Sequence, residues 1–330
     1  MAKLRVTLAC WDYDRTRALQ EGRVQVEGVE LTYLPLRVEE TFWRMLRYQE
    51  FDAAELSMGS YLMAREKGLP RLLAIPVFPS RAFRHSGIYI NADSGIREPK
   101  DLVGKKVGVP EYQVTMATWA RGILQHEYGV KPEQMKWFTG GEEHPGREDK
   151  IRHDLPKNIA IRSIGPDQTL SSMLEQGEID AVISPHMPSP FVRRSPKVRR
   201  LIPNFREVEK EYYRRTKIFP IMHTVALRED FYEKNPWVAQ NLCKAFAEAK
   251  RLCEESMYEF SALKYMLAWS IAEMEEEREI FGKELWPYGL EANRHVLETL
   301  ARYAHEQGLI KKLPDIKSLF APNTLEDFKI

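Results

Sequence analysis

The feature that most constrains this chain is a repeated exchange between two hydrophobic periods. Leu4-Arg5-Val6-Thr7-Leu8-Ala9 and Val29–Leu34 alternate as strands do, and Phe51–Leu56 and Leu72–Val77 are further short strand-like runs. Helical patterns fall between them, over 16–21, from Thr41 and after Ser57-Met58-Gly59-Ser60. A second series follows. Residues 99–110 read as a turn, a glycine break and a strand, 115–126 as a helix, 159–161 as a strand, 168–176 as a helix closed by Gly177, and 181–183 as a buried strand. Strands alternating with helices predict an α/β fold with a largely parallel sheet.

Beyond about Ile218–Leu227 the pattern turns helical, over 242–255, 262–281 and 290–305, before a tail marked by Pro314 and Pro322. Gly140–Pro156 is charged, aperiodic and contains Gly and Pro, and reads as a long surface loop. Strand-like crossings near 86–92 and 220–227 join two α/β units. The expectation is a two-lobed molecule, with 1–90 plus 225–330 as lobe 1, 91–224 as lobe 2, and a ligand cleft between them. Ligands of open α/β sheets bind beyond the carboxyl ends of the strands. The candidate loops are therefore Trp11–Arg15, Ser57–Ser60, Ser80–His85, Pro110–Thr115, Ser184–Met187 and Pro220–Thr224.

Bulk properties narrow the function classes. A chain of 330 residues, 43% hydrophobic and 29% charged, can bury a core. Its formal charge of +1 gives no global attraction to nucleic acid or membrane, so anion recognition must be local. No run approaches the roughly 20 apolar residues that span a bilayer. The N-terminal MAKLRVTLACWDYDR has too short an apolar run for a secretory signal. Three cysteines without a pairing pattern (Cys10, Cys243, Cys253) suit a reducing cytoplasm, and none has zinc-ligand spacing. Nucleotide-binding and Gly-x-Ser-x-Gly motifs are absent.

The run FPSRAFRHSGIYIN places Arg81, Arg84 and His85 before a strand. It is either a solvated loop or an anion clamp, since an arginine fork matches a carboxylate bidentately. Adjacent side chains of an extended segment diverge, so Arg81 and His85 are expected to face the ligand and Arg84 to be structural. Trp11 suits stacking on an aromatic ring. Asp14 reads as a helix cap, and Asp12 as a cap or as the group that orients a catalytic histidine. Glu111-Tyr112-Gln113-Val114-Thr115 is either a capping loop or a second carboxylate cradle at a helix N-terminus. His186 and His223 each follow apolar runs, as structural residues or as proton shuttles. Spacing gives no support for a metal site built from them. The other histidines (His126, His144, His153, His295, His305) read as surface residues, and the stripe Tyr258, Phe260, Tyr265, Met266, Trp269 as core or subunit interface.

Two resemblances sharpen this. PKDLVGKKVGVPEYQ, GEIDAVIS and VALREDFYEKNP resemble the recurring pattern of type 2 periplasmic-binding-protein folds. CWDYDRTRAL, FPSRAFRHSGIYIN, GVPEYQVTMATWARGILQHEYGV, IFPIMHTVALRED and WPYGLEANR are similar to the 4,5-dihydroxyphthalate decarboxylase family over nearly the whole chain. The resemblance implies a cytosolic, non-oxidative carboxy-lyase on a solute-binding scaffold, with an aromatic carboxylate as ligand and no organic cofactor. On that chemistry Arg81, Ser80, Ser57, Tyr112, Gln113, Thr115 and Trp11 are the expected substrate-binding residues. His85, His223 and His186 are the acid/base candidates, with Asp12 tuning one of them. A non-catalytic binder of an aromatic or heterocyclic acid, and an enzyme for another heterocycle, are the competing expectations. Either way a homo-oligomer stays open.

Overall fold

The structure, a computed structural model, describes residues 2–147, 150–151 and 154–326. In chain order the elements are β1 (Leu4–Ala9), α1 (Arg17–Gln20), β2 (Val29–Leu34), α2 (Val38–Tyr48), β3 (Ala53–Ser57), α3 (Met58–Lys67), β4 (Leu72–Arg81), β5 (Ile88–Asn91), β6 (Lys106–Val109), α4 (Thr115–Tyr128), β7 (Lys136–Thr139), β8 (Ala160–Ser163), α5 (Leu170–Gln176), β9 (Ala181–Ile183), α6 (Ser189–Val192), β10 (Val198–Arg200), α7 (Phe205–Thr216), β11 (Ile221–Arg228), α8 (Glu229–Lys234), α9 (Pro236–Met257), α10 (Ser270–Phe281) and α11 (Arg294–Glu306). The chain is α/β throughout and divides into two compact units.

The first unit comprises Met1–Arg81, His223–Leu297 and Pro314–Ile330. Its sheet has the order β2-β1-β3-β11-β4. β1 pairs in parallel with β2 and β3, and β11 runs antiparallel to β3. The carboxyl ends of β1 and β3 therefore meet the start of β11 at one rim of the sheet. β4 carries Pro76 and Pro79, which lack the ladder N–H, and lies at the sheet edge where that loss is tolerated. The long helix α9 presents Val238, Leu242, Phe246 and Ala249 to the core cluster that contains Val6, Leu8, Val225 and Leu227. Each buried Val, Leu or Phe of this set stabilises by about 1.5–3 kcal/mol.

The second unit comprises Ala82–Met222 and Glu298–Leu313, with a six-stranded sheet of order β10-β5-β9-β6-β7-β8. β9, β6, β7 and β8 are parallel, and β5 is antiparallel to β9 and β10. Tyr89, Phe138, Leu170, Leu174 and Val182 form one of its buried clusters.

These divisions differ from the expected 90/91 and 224/225. The strand that begins in FPSR extends to Arg81, whose guanidinium holds Pro287 and Asn293 of the first unit, while the Ala82 N–H already bonds the Pro220 carbonyl of the second. Residues 298–313 belong to the second unit because α11 packs on α4. A Cβ on Gly122 would lie 1.9 Å from the Tyr303 ring, so only glycine permits that approach. Gln307 reaches both Arg121 and the Thr118 carbonyl.

Other local expectations are also revised. The helix expected from 262 begins only at Ser270, and α10 buries none of its residues. Tyr258, Phe260, Met266 and Trp269 are exposed and so are not core. α7 shows no apolar period, because its polar sequence FREVEKEYYRRT buries only Glu209 and Tyr212.

Candidate active site

At the rim of the first unit the sheet register brings a carboxylate and an imidazole together. On β3 and β11, Ser57 lies opposite His223 and Glu55 opposite Val225. The strand period of two puts Glu55 on the same face as Ser57, diagonal to His223. Glu55 is fully buried. Its Oε1 accepts from His223 Nδ1 at 2.6 Å and from the Tyr13 hydroxyl at 2.6 Å, and its Oε2 accepts from the Trp11 amide at 3.0 Å and from Cys10 Sγ at 3.6 Å. Burial by itself would raise the Glu55 carboxyl. The His223 charge, together with hydrogen bonds from His223, Tyr13 and Trp11, outweighs that and holds it below the usual carboxylate range.

An ionised Glu55 can only accept, so the proton on the shared bond belongs to His223 Nδ1. The ring is thereby oriented with Nε2 left for other chemistry. Phe42 supports it edge-on with centroids 4.8 Å apart. The His223 side chain is 15% exposed, accessible but not solvated. Around it, burial and Glu55 push the Cys10 thiol and the Tyr13 hydroxyl upward, so both stay protonated. Arg15 lies over the Tyr13 ring at 4.1 Å and the Trp286 ring at 4.2 Å.

Several expected roles change hands here. Asp12 pairs with Arg17 at 2.7 Å on the surface, and the carboxylate that orients a histidine is Glu55. Arg81 is 6% exposed and its Nη2 donates to the Pro287 carbonyl at 2.8 Å and to Asn293 Oδ1, which makes it a brace rather than a clamp. Ser57 caps α3, accepting from the Ser60 amide at 3.5 Å. Ser80 is half-buried beside Tyr13. Trp11 is exposed and placed by its amide bond to Glu55.

In the second unit His85 is 2% exposed, opening a short 3-10 turn against α7. Its ring meets Tyr212 at 5.2 Å, and Nδ1 lies 3.8 Å from Glu209. Burial, then Arg215, lowers His85 to about 4, and burial raises Glu209 to about 7. A salt bridge would shift both the other way, so desolvation wins and the pair is not ionised together near neutrality. His85 is thus a packed imidazole rather than a proton handler. Arg84 is half-buried, with Nε 3.1 Å from Met222 Sδ.

The strand-end loops of this unit hold Glu111, Gln113, Glu142 and Ser184. Glu111 is buried and bonded to Arg147, Lys150 and Gln113 Nε2, so it braces the long loop. Tyr112 is fully buried, with Arg121 over its ring at 3.7 Å and Trp137 at 5.6 Å, and does not present itself to a ligand. Thr115 is buried at the start of α4. His186 is exposed, its amide donating to Ser184 Oγ at 3.0 Å. His126, His144, His295 and His305 are exposed, and His153 lies outside the described residues. Among the described residues no three of His, Cys, Asp or Glu are grouped to hold a metal ion.

Comparison with known proteins decides the lineage. The 4,5-dihydroxyphthalate decarboxylase of Comamonas testosteroni is 40% identical over 330 residues, spanning 100% of both chains. The chain belongs to the 4,5-dihydroxyphthalate decarboxylase family. A second member, from Pseudomonas putida, is 42% identical over 214 residues, 65% of this chain and 83% of its own. Residues 18–153 also match the family described as ABC transporter, phosphonate, periplasmic substrate-binding protein. The periplasmic aliphatic sulphonate binding protein SsuA of Escherichia coli superposes with a TM-score of 0.54 at 14% identity, over 98% of this chain and 99% of that one. That likeness concerns the fold, which is the type 2 periplasmic-binding-protein-like α/β fold. Within this decarboxylase family member, the residues without a role in the sequence reading are Glu55, Tyr13, Arg15, Phe42 and Glu142. One signal was available for Glu55, a lone acid inside the otherwise small and apolar strand Ala53-Ala54-Glu55-Leu56-Ser57.

Proposed function

We propose that this chain decarboxylates 4,5-dihydroxyphthalate to protocatechuate and CO₂, with His223 handling the ring-carbon proton and Glu55 positioning it. The supporting observation is the buried Glu55–His223 pair at the strand-end rim of the first unit, in a chain of the decarboxylase family. A pre-oriented imidazole is equipment for proton transfer, which a simple binding protein does not need.

The step balances as follows. The hydroxyl para to the leaving carboxylate gives up its proton, which raises electron density at the carboxylate-bearing carbon. His223 Nε2–H protonates that carbon and leaves a dienone. The C–CO₂ bond breaks, its electron pair restores the aromatic ring, and the oxygen regains a proton. One proton is consumed per CO₂. Glu55 stabilises the imidazolium before the transfer and keeps Nδ1 protonated throughout. Trp11 flanks the ring, and Arg15, held on the Tyr13 and Trp286 rings with Nε on the Pro79 carbonyl at 2.7 Å and Nη1 on Asp14 at 2.9 Å, turns its Nη2 to a carboxylate. The three cysteines are buried and unpaired, which suits the cytoplasm as the site of action.

Purified protein incubated with 4,5-dihydroxyphthalate is expected to release CO₂ and protocatechuate in equal amounts. Absence of both products overturns the proposal.

A further inference from the structure

The second unit holds two buried oxygen acceptors at neighbouring strand ends. Glu142, in the loop after β7, accepts from Ser184 Oγ, in the loop after β9, at 2.5 Å. In the sheet, β6 lies between β7 and β9, so this bond spans the end of β6, from which the loop carrying Gln113 departs. The loop after β7 is also tied to the loop after β6, because Glu111 accepts from Arg147 Nε at 2.8 Å and from the Lys150 amide at 3.1 Å.

Gln113 is 1% exposed and Glu142 is 6% exposed. Gln113 Nε2 donates to Glu111 Oε2 at 2.7 Å, and since a carboxylate can only accept, the amide is fixed with Oε1 on its other side. Gln113 Oε1 and Glu142 Oε1 have no hydrogen-bond partner among the described residues. Buried acceptors are ordinarily satisfied, so two at one rim call for donors from outside the chain. Burial pushes the Glu142 carboxyl up to about 6, and above that pH its oxygens are acceptors only. A carboxylate ligand would be repelled by such a pair. Adjacent hydroxyls supply the two donors it lacks.

We propose that Gln113 and Glu142 form a catechol-reading subsite, each taking a hydrogen bond from one of two adjacent ring hydroxyls. This rests on the proposed decarboxylase reading for the identity of the substrate, and it replaces the carboxylate cradle expected at Gln113 and Thr115 with its chemical opposite. The subsite selects hydroxylated rings over rings that carry carboxylates alone.

The test is calorimetric binding at a pH above the Glu142 value, using the unreactive pair protocatechuate and benzoate, with phthalate as the carboxylate control. Wild type is expected to prefer protocatechuate over benzoate by about tenfold or more, the effect of satisfying two buried acceptors. Glu142→Gln keeps the shape and can still accept from Ser184, but presents an amide where an acceptor was. Gln113→Met removes the second acceptor at similar volume. Each variant, shown folded by its thermal unfolding, is expected to lose most of the preference while benzoate and phthalate affinities hold within about twofold. A preference that survives in both variants, or phthalate binding that falls as far as protocatechuate binding, overturns the subsite. Wild type that decarboxylates while the variants keep the preference refutes the subsite alone. Wild type that fails to decarboxylate but shows the Gln113- and Glu142-dependent preference supports the subsite and refutes the activity.

Discussion

Burying an ionised carboxylate is costly unless donors surround it, and Glu55 has donors from three directions: a side chain on β11, a side chain in the β1–α1 loop, and that loop's own backbone. Such a group exists to hold something in place. Glu55→Gln is therefore expected to lower kcat by about 10²-fold with KM little changed, and His223→Asn by about 10³-fold. Arg15→Met in the same kinetic series is expected to raise KM and leave kcat nearly intact. Equal activity in wild type and His223→Asn would remove His223 from the mechanism. The residue scale is also where sequence reading is weakest. The sequence offers His223 as one of three histidine candidates and Asp12, at the end of the first strand, as the acid that tunes one of them. Glu55 is near in space through a diagonal register that no local pattern reveals. The cationic run failed in the same way, since the partners of Arg81 are more than two hundred residues away.

At the scale of elements, the alternation of periods revealed most strands and the long helices, because those signals depend on burial of one face. α7 escaped because its buried face carries Glu209 and Tyr212 rather than aliphatic residues. That choice has a measurable consequence. Glu209 is raised to about 7 in the folded protein, so between its ordinary value and about 7 the folded state binds more protons than the unfolded state, and its contribution to stability is lost as pH rises through that window. His85, lowered to about 4, contributes the opposite slope, with stability gained as pH rises from about 4 to 6.5. In Glu209→Gln the His85 slope stands alone. The stability of the variant relative to wild type is expected to climb with pH from about 4.5 to 7, by on the order of 1–3 kcal/mol after allowance for partial solvent screening. Denaturant unfolding at a series of pH values measures this. A pH-independent difference would mean that Glu209 titrates normally.

For the whole molecule, the near-zero formal charge of +1 sets the terms of substrate capture. Without a global field, a dianionic aromatic acid must be recognised by local groups, such as the carboxylate-oriented His223 of the first unit, with Arg15 stacked on the Tyr13 that shares its carboxylate. Fold class and lineage were legible because they depend on motifs spread along the chain. The roles of individual polar residues were not, because they depend on which strand ends meet. Turnover of 4,5-dihydroxyphthalate in D₂O tests the account most directly. The expected product is protocatechuate with a single deuterium ortho to the retained carboxylate and para to a hydroxyl, formed in step with CO₂ and about 10³-fold more slowly by His223→Asn. Unchanged substrate, or deuterated protocatechuate formed as fast by His223→Asn as by wild type, would contradict it.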